Sequence, residues 1–74
     1  MKTEPHRAKL QSATLTTAEY DCNLAQLVLD FKDCSRYLYS GVQAPVFADL
    51  LRASSQGTFF NREIRSRYPY VRIW

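Results

Sequence analysis

The sequence contains few of the residue types that build catalytic or metal-binding sites. Its 74 residues include one histidine, two cysteines and two glycines, and they contain no glycine-rich phosphate-binding motif. The cysteines lack the spacing of metal ligands and are too few for the disulfide framework of small secreted domains. No apolar run approaches the ~18 residues of a membrane span. We therefore expect a non-enzymatic protein with no cofactor, metal, small-molecule substrate or membrane partner.

The length and the composition indicate one small globular domain in the cytoplasm. The hydrophobic fraction is 46% and the charged fraction is 23%, which is typical of folded domains. The N-terminal segment lacks the apolar stretch of a signal peptide. Residues 1–11 are basic, contain Pro5 and show no apolar periodicity, so we expect them to form a flexible basic arm. The fold is then predicted over residues 12–74.

Three segments have the alternation that is typical of β-strands. Segment 13–20 is rich in threonine, and segment 24–32 is the clearest strand because Ala25, Leu27, Leu29 and Phe31 recur at a period of two. Segment 36–40 places Tyr37 and Tyr39 on one face. Short turns join the three segments, which favours an antiparallel meander.

Two helices are expected after the strands. Pro45 suits the first turn of one helix, Gly57 is expected to end it, and Thr58 is expected to cap a second helix that runs to about residue 67. The apolar stripes are Val46, Phe47, Leu50 and Leu51 in the first helix, and Phe60, Ile64 and Tyr68 in the second. This order of elements predicts an α+β domain in which a three-stranded antiparallel β-meander is followed by two helices packed on one face.

The two cysteines are expected to remain separate thiols. Cys22 and Cys34 flank opposite ends of the second predicted strand. That strand separates them by about 30 Å, which is far beyond the reach of a disulfide.

Two explanations fit the tyrosine pair Tyr37 and Tyr39. Aromatic side chains two residues apart on a strand face the same side of a sheet, and single-stranded nucleic-acid binders use such rings to stack bases. The alternative is that this side faces the core, with the hydroxyl groups at its rim. A small domain needs large apolar residues from every strand, which favours the core.

The C-terminal third contains most of the basic charge. Residues 52–74 include five arginines and one acidic residue. At helical spacing Arg62 and Arg65 share a face, whereas Glu63 and Arg67 are spaced to pair with each other. Guanidinium groups suit phosphate, and the alternative is an ordinary solvated helix face. The candidate nucleic-acid-binding residues are Arg52, Asn61, Arg62, Arg65, Arg67 and Arg72, together with Tyr37 and Tyr39.

A longer pattern resembles a known family. Its segments are YLYSGV at 37–42, VFADLL at 46–51, SSQGTFFNREIR at 54–65 and YPY at 68–70. Their order and separation closely resemble the KTSC domain over roughly residues 12–73. One departure is Gln43, where the family often has proline, and it predicts a shifted start of the first helix.

The resemblance implies a family without an assigned function. The family is named for the C-terminal domain of some lysyl-tRNA synthetases and includes stand-alone small bacterial and phage proteins. It has no recognised catalytic residues, and RNA binding has been proposed because a synthetase must hold tRNA. We expect a module that binds RNA or another nucleic acid through the C-terminal arginines. The alternative is a protein-interaction module, for example a phage or plasmid accessory factor that binds a host protein through an open sheet face or edge strand.

Two residues of this pattern are hard to explain by packing. They are Asn61 and Arg65. A structural role would make Asn61 a helix cap and Arg65 the partner of a carboxylate such as Asp49, or of the C-terminal end of a helix.

Overall fold

The sheet is a meander of five strands in the order of the sequence. The computed structural model describes residues 6–74. The strands are β1 (His6–Lys9), β2 (Leu15–Asp21), β3 (Gln26–Phe31), β4 (Arg36–Ser40) and β5 (Tyr70–Arg72), and every neighbouring pair is antiparallel. Between β4 and β5 lie α1 (Ala44–Arg52) and α2 (Gln56–Phe59), and α2 continues directly as a π-helix (Phe60–Ile64). The predicted α+β class, with an antiparallel sheet and two helices, is confirmed.

The sheet contains two strands more than predicted, so the three-stranded meander is wrong in its number of strands. The exclusion of residues 1–11 from the fold is wrong for His6–Lys9, which pair with residues 17–20 of β2. β5 pairs with β4, with Tyr70 opposite Tyr39. Both additional strands are short, largely exposed edge strands held by backbone hydrogen bonds, so they need no apolar alternation. Residues 1–5 of the predicted arm lie outside the described residues.

Both helices pack against the same face of the sheet. Tyr20, Leu27 and Tyr39 form a buried row across β2, β3 and β4 on that face. Phe47 of α1 stacks on Tyr20 with 5.0 Å between the ring centroids. Phe60 meets Tyr39 edge-on at 5.6 Å. The hydrophobic core therefore lies between this row and the two helices.

The first helix forms as its apolar stripe predicts. α1 begins at Ala44 with Pro45 in its first turn, and Gln43 precedes it in an extended conformation. Pro45 is tolerated there because the first amides of a helix have no partner within the helix. The stripe is confirmed, since Phe47 and Leu50 are buried and Val46 and Leu51 are half-buried.

The second helix begins earlier than predicted. Ser55 caps it by accepting a hydrogen bond from the Thr58 amide at 3.3 Å, so Thr58 is not the cap. Gly57 lies inside α2 and does not end α1. A β-carbon at Gly57 would lie 3.3 Å from the Ser12 hydroxyl oxygen, so glycine allows the preceding loop to approach closely. Phe60 and Ile64 are buried as predicted.

The two cysteines are free, as predicted, and both are exposed. Cys22 lies in the turn after β2, and Cys34 lies in the turn after β3, at the opposite end of that strand. Cys34 has a φ of 72°, a left-handed conformation that reverses the chain between β3 and β4.

Leu50→Ala should lower the free energy of unfolding by about 2–5 kcal/mol, because Leu50 is fully buried and its truncation leaves a cavity. Urea unfolding followed by circular dichroism measures the change. Leu24→Ala is the matched control, since the Leu24 side chain is 62% exposed and its truncation should cost less than about 0.5 kcal/mol. Equal unfolding midpoints for the two variants would contradict the placement of α1.

Candidate functional site

A solvent-accessible pocket of about 440 Å³ lies at one end of the sheet. It is bounded by the turn between β3 and β4, by the paired strands β4 and β5, and by the π-helix. The aromatic residues that line it are Phe31, Tyr37, Tyr39, Phe60 and Tyr70. The polar residues that line it are Thr14, Asp33, Ser35, Asn61 and Arg65. Such a pocket can hold a flat ring between apolar walls and form hydrogen bonds to its edge.

The pairing of β4 with β5 builds the aromatic wall. Tyr39 lies opposite Tyr70, and Tyr37 lies opposite Arg72. The Tyr70 ring centroid is 5.5 Å from that of Tyr39 and 5.6 Å from that of Tyr37. The Arg72 guanidinium carbon lies 6.0 Å from the Tyr37 ring centroid, which is within cation–π distance. Tyr39 is 3% exposed and Tyr70 is 55% exposed, so the wall runs from the core to the solvent.

The π-helix forms the opposite wall. Its wider turn is closed by the Arg65 amide, which donates to the Phe60 carbonyl at 2.9 Å. Phe60 packs edge-on against Phe31 and Tyr39, and this contact holds the helix to the sheet. The Arg65 guanidinium makes a long hydrogen bond of 3.5 Å to the Asn61 side-chain oxygen. Single π-turns recur at functional sites because they redirect side chains locally, and this one brings Asn61 and Arg65 to the pocket.

The turn between β3 and β4 supplies an ordered carboxylate. Oδ1 of Asp33 accepts hydrogen bonds from the Ser35 hydroxyl at 2.5 Å and from the Ser35 amide at 2.9 Å. These two bonds lower the pKa of Asp33, and the Arg72 guanidinium acts in the same direction. Asp33 is exposed whereas Ser35 is buried. The carboxylate is therefore ionised at neutral pH, and the hydrogen bonds from the buried Ser35 hold it in place.

Tyr39, the most buried residue of the aromatic wall, stays uncharged. Burial raises the pKa of Tyr39 to about 12, and the neighbouring Tyr70 and Tyr37 add to this shift. The Arg65 guanidinium opposes it. At neutral pH the Tyr39 hydroxyl is consequently a neutral hydrogen-bonding group.

The structure brings together part of the predicted site. Tyr37, Tyr39, Asn61 and Arg65 line the pocket, and Arg72 lies beside it over Tyr37. Of the two explanations for the tyrosines, core burial holds for Tyr39, whereas Tyr37 is half-buried with its ring in the pocket wall.

Three predicted arginines lie elsewhere. Arg52 pairs with Asp49 at 2.5 Å on the surface of α1. Arg67 pairs with Glu63 at 3.7 Å, as its spacing predicts. Arg62 lines a separate depression beside Glu63. The structure therefore does not group these three arginines with the pocket.

The structure does not support the predicted shared face of Arg62 and Arg65, or two of the structural alternatives for Asn61 and Arg65. Arg62 and Arg65 line different depressions, because the three-residue spacing brings side chains together in an α-helix but not in the wider π-helix. Arg65 does not pair with Asp49, whose carboxylate accepts from Arg52. Asn61 lies inside the π-helix and is not a helix cap.

Several pocket residues are not predicted from the sequence. Asp33 and Ser35 lie in the short turn between the second and third predicted strands, and Tyr70 ends the YPY segment, but neither position indicates a site. An aspartate two residues before a serine indicates a turn in which the carboxylate accepts local hydrogen bonds. That signal predicts an ordered carboxylate, but it contains no information on the approach of the π-helix.

Within residues 6–74, no group of three or more His, Cys, Asp or Glu side chains is arranged to hold a metal ion. The helices in this part of the chain are all too short or too polar to cross a membrane.

Comparisons with known proteins agree with this fold. The sequence pattern of the KTSC domain matches residues 11–68. A protein of Tsukamurella paurometabola is 36% identical over 64 residues, which cover 86% of this chain and 96% of that protein. The crystal structure of a KTSC domain protein from Yersinia pestis has a TM-score of 0.89 at 24% identity, and the match covers 95% of this chain and 99% of that chain. Most of the pocket lies within the matched residues, whereas Tyr70 and Arg72 follow them.

Proposed function

The chain belongs to the KTSC domain family, and we propose that it is a small non-enzymatic cytoplasmic module that binds single-stranded RNA or another nucleic acid. The observation that best supports this proposal is the pocket itself, in which the exposed ring of Tyr70 and the half-buried ring of Tyr37 occur together with guanidinium groups. Proteins that bind single strands combine these two features, because rings stack on bases and cations follow the phosphates. The KTSC family is named for the C-terminal domain of some lysyl-tRNA synthetases, and this association favours RNA as the ligand.

Tyr70 is the ring best suited to stack on a base. Its side chain is 55% exposed, and it lines the pocket beside Tyr37. Stacking of a base on an aromatic side chain contributes about 1–3 kcal/mol and tolerates every base, because each base has a π-face. A base on Tyr70 would enter the pocket from the solvent.

Arg65 and Arg72 are suited to the phosphates next to that base. Arg65 lines the helical wall, and Arg72 lies over the Tyr37 ring on the strand wall. Both guanidinium groups are therefore at the rim of the aromatic surface, where the backbone of a bound strand would pass. The overall formal charge of +3 favours an acidic partner in the same way.

Arg65→Ala should weaken binding of single-stranded RNA several-fold and lower the slope of log affinity against log salt by about 0.7. Fluorescence anisotropy of a labelled RNA over a range of salt concentrations measures both quantities. Arg62→Ala is the matched control, since it removes the same charge from the same helix outside the pocket. Thermal melting of both variants verifies that they fold. An equal loss of affinity in the two variants would overturn the assignment of the phosphate contact to Arg65.

A protein partner is the second candidate function, and the opposite face of the sheet favours it. Leu38 and Val71 lie opposite each other across β4 and β5, on the side away from the pocket. Val71 is 57% exposed and Ile73, two residues further along, is 45% exposed. An exposed apolar edge strand is a common site of strand addition by another chain. Binding at this face would depend little on salt.

Tyr70→Ala and Val71→Ala discriminate between the two functions. The two side chains are adjacent, and they are 55% and 57% exposed, but they lie on opposite faces of β5. We expect Tyr70→Ala to weaken RNA binding by about 5- to 150-fold through lost stacking, and Val71→Ala to leave it unchanged. Anisotropy measures the affinities. Wild-type affinity in a folded Tyr70→Ala variant would refute base stacking at this pocket.

A further inference from the structure

We infer that the pocket binds guanine in preference to the other bases of a single strand. This inference rests on the proposed function, because it specifies the base for the same site. It follows from the placement of an acceptor-only group and a donor-only group on different walls of one aromatic pocket.

The acceptor-only group is the Asp33 carboxylate. Its Oδ1 is occupied by the Ser35 hydroxyl and amide, whereas its Oδ2 receives no donor from the described residues. An ionised carboxylate accepts hydrogen bonds and donates none. The bonds from Ser35 and the left-handed turn at Cys34 fix its position before any ligand binds. A base edge that meets Asp33 must therefore present N–H donors.

The donor-only group is the Arg65 guanidinium. It lines the same pocket as Asp33 but extends from the π-helix, whereas Asp33 extends from the turn between β3 and β4. A guanidinium has five N–H donors and no acceptor. Asn61 accepts from one of its nitrogens at 3.5 Å, which orients the guanidinium, and the remaining donors are enough for both a phosphate oxygen and a base edge. A base edge that meets Arg65 must therefore present acceptors.

Guanine is the base that satisfies both requirements on two separate edges. Its O6 and N7 atoms are neighbouring acceptors, and arginine binds this pair more often than any other base feature. Its N1–H and N2–H groups form a donor edge on another side of the ring. Adenine has an amino donor next to N7, which opposes a guanidinium at that edge. The pyrimidines have no second polar edge to reach the opposite wall.

The size and the walls of the pocket suit a purine. Its volume is about 440 Å³, and the rings of Tyr37, Tyr70 and Phe60 border it. The larger π-surface of a purine covers more of these rings than a pyrimidine does, so stacking and edge recognition favour the same class of base.

Binding of four oligouridine strands of about ten nucleotides tests this inference. Each strand has guanine, adenine, cytosine or uracil at its centre and is otherwise identical. The wild-type chain should prefer the guanine strand by about 5- to 150-fold. Asp33→Asn keeps an oxygen for the Ser35 bonds but turns an amide donor toward the donors of guanine. It should reduce the preference to at most about twofold, and thermal melting verifies that the variant folds.

Asp21→Asn is the matched control. Asp21 also accepts hydrogen bonds within its own turn, from the Asn23 amide at 2.9 Å, and it lies at the other end of the sheet. This variant loses the same charge and should keep the guanine preference. Equal binding of all four strands by the wild-type chain would overturn the inference and leave the proposed function standing. Absence of binding to every strand would overturn both, and a guanine preference that persists in Asp33→Asn would overturn the role of Asp33.

Discussion

The contact of Phe60 with Phe31 and Tyr39 holds the two walls of the candidate site together. Phe60 is 5% exposed, and its ring centroid lies 5.4 Å from that of Phe31 and 5.6 Å from that of Tyr39. Because Phe60 begins the π-helix, this contact also fixes the positions of Asn61 and Arg65 relative to the strands. The core under α1 is built by other residues, so the geometry of the pocket depends on this aromatic cluster more than on the rest of the fold.

The pocket exists because the sheet is wider than the helices that cover it. Phe47 places α1 over β2, and Phe60 places the second helix over β3 and β4. Neighbouring strands lie ~4.8 Å apart and a helix is ~10 Å wide, so two helices cover about four strands. β5 extends beyond them. Tyr37 and Tyr70 would belong to the core under a third helix, but here they meet the solvent and form a surface for stacking.

The sequence predicts those parts of the fold that depend on buried apolar side chains. The leucines of β3 and the stripe that includes Leu50 have the expected periods, and both are confirmed. β1 and β5 were missed because edge strands gain backbone hydrogen bonds without apolar alternation. The site was predicted in part from residue types, but Arg62 was grouped with Arg65 because a spacing of three implies one face only in an α-helix. The role of Asp33 depends on a turn and a helix that approach each other across the fold, and no local pattern encodes that approach.

An NMR titration of the chain with single-stranded RNA tests the central claim most directly, because side-chain signals distinguish the two faces of the sheet. Tyr37 and Tyr70 lie on the pocket face, whereas Val28, Leu38 and Val71 form a row on the other face. The account predicts that RNA shifts the ring signals of Tyr37 and Tyr70 and leaves the methyl signals of that row in place. Shifts confined to the methyl signals, or no shift at saturating RNA, would contradict it.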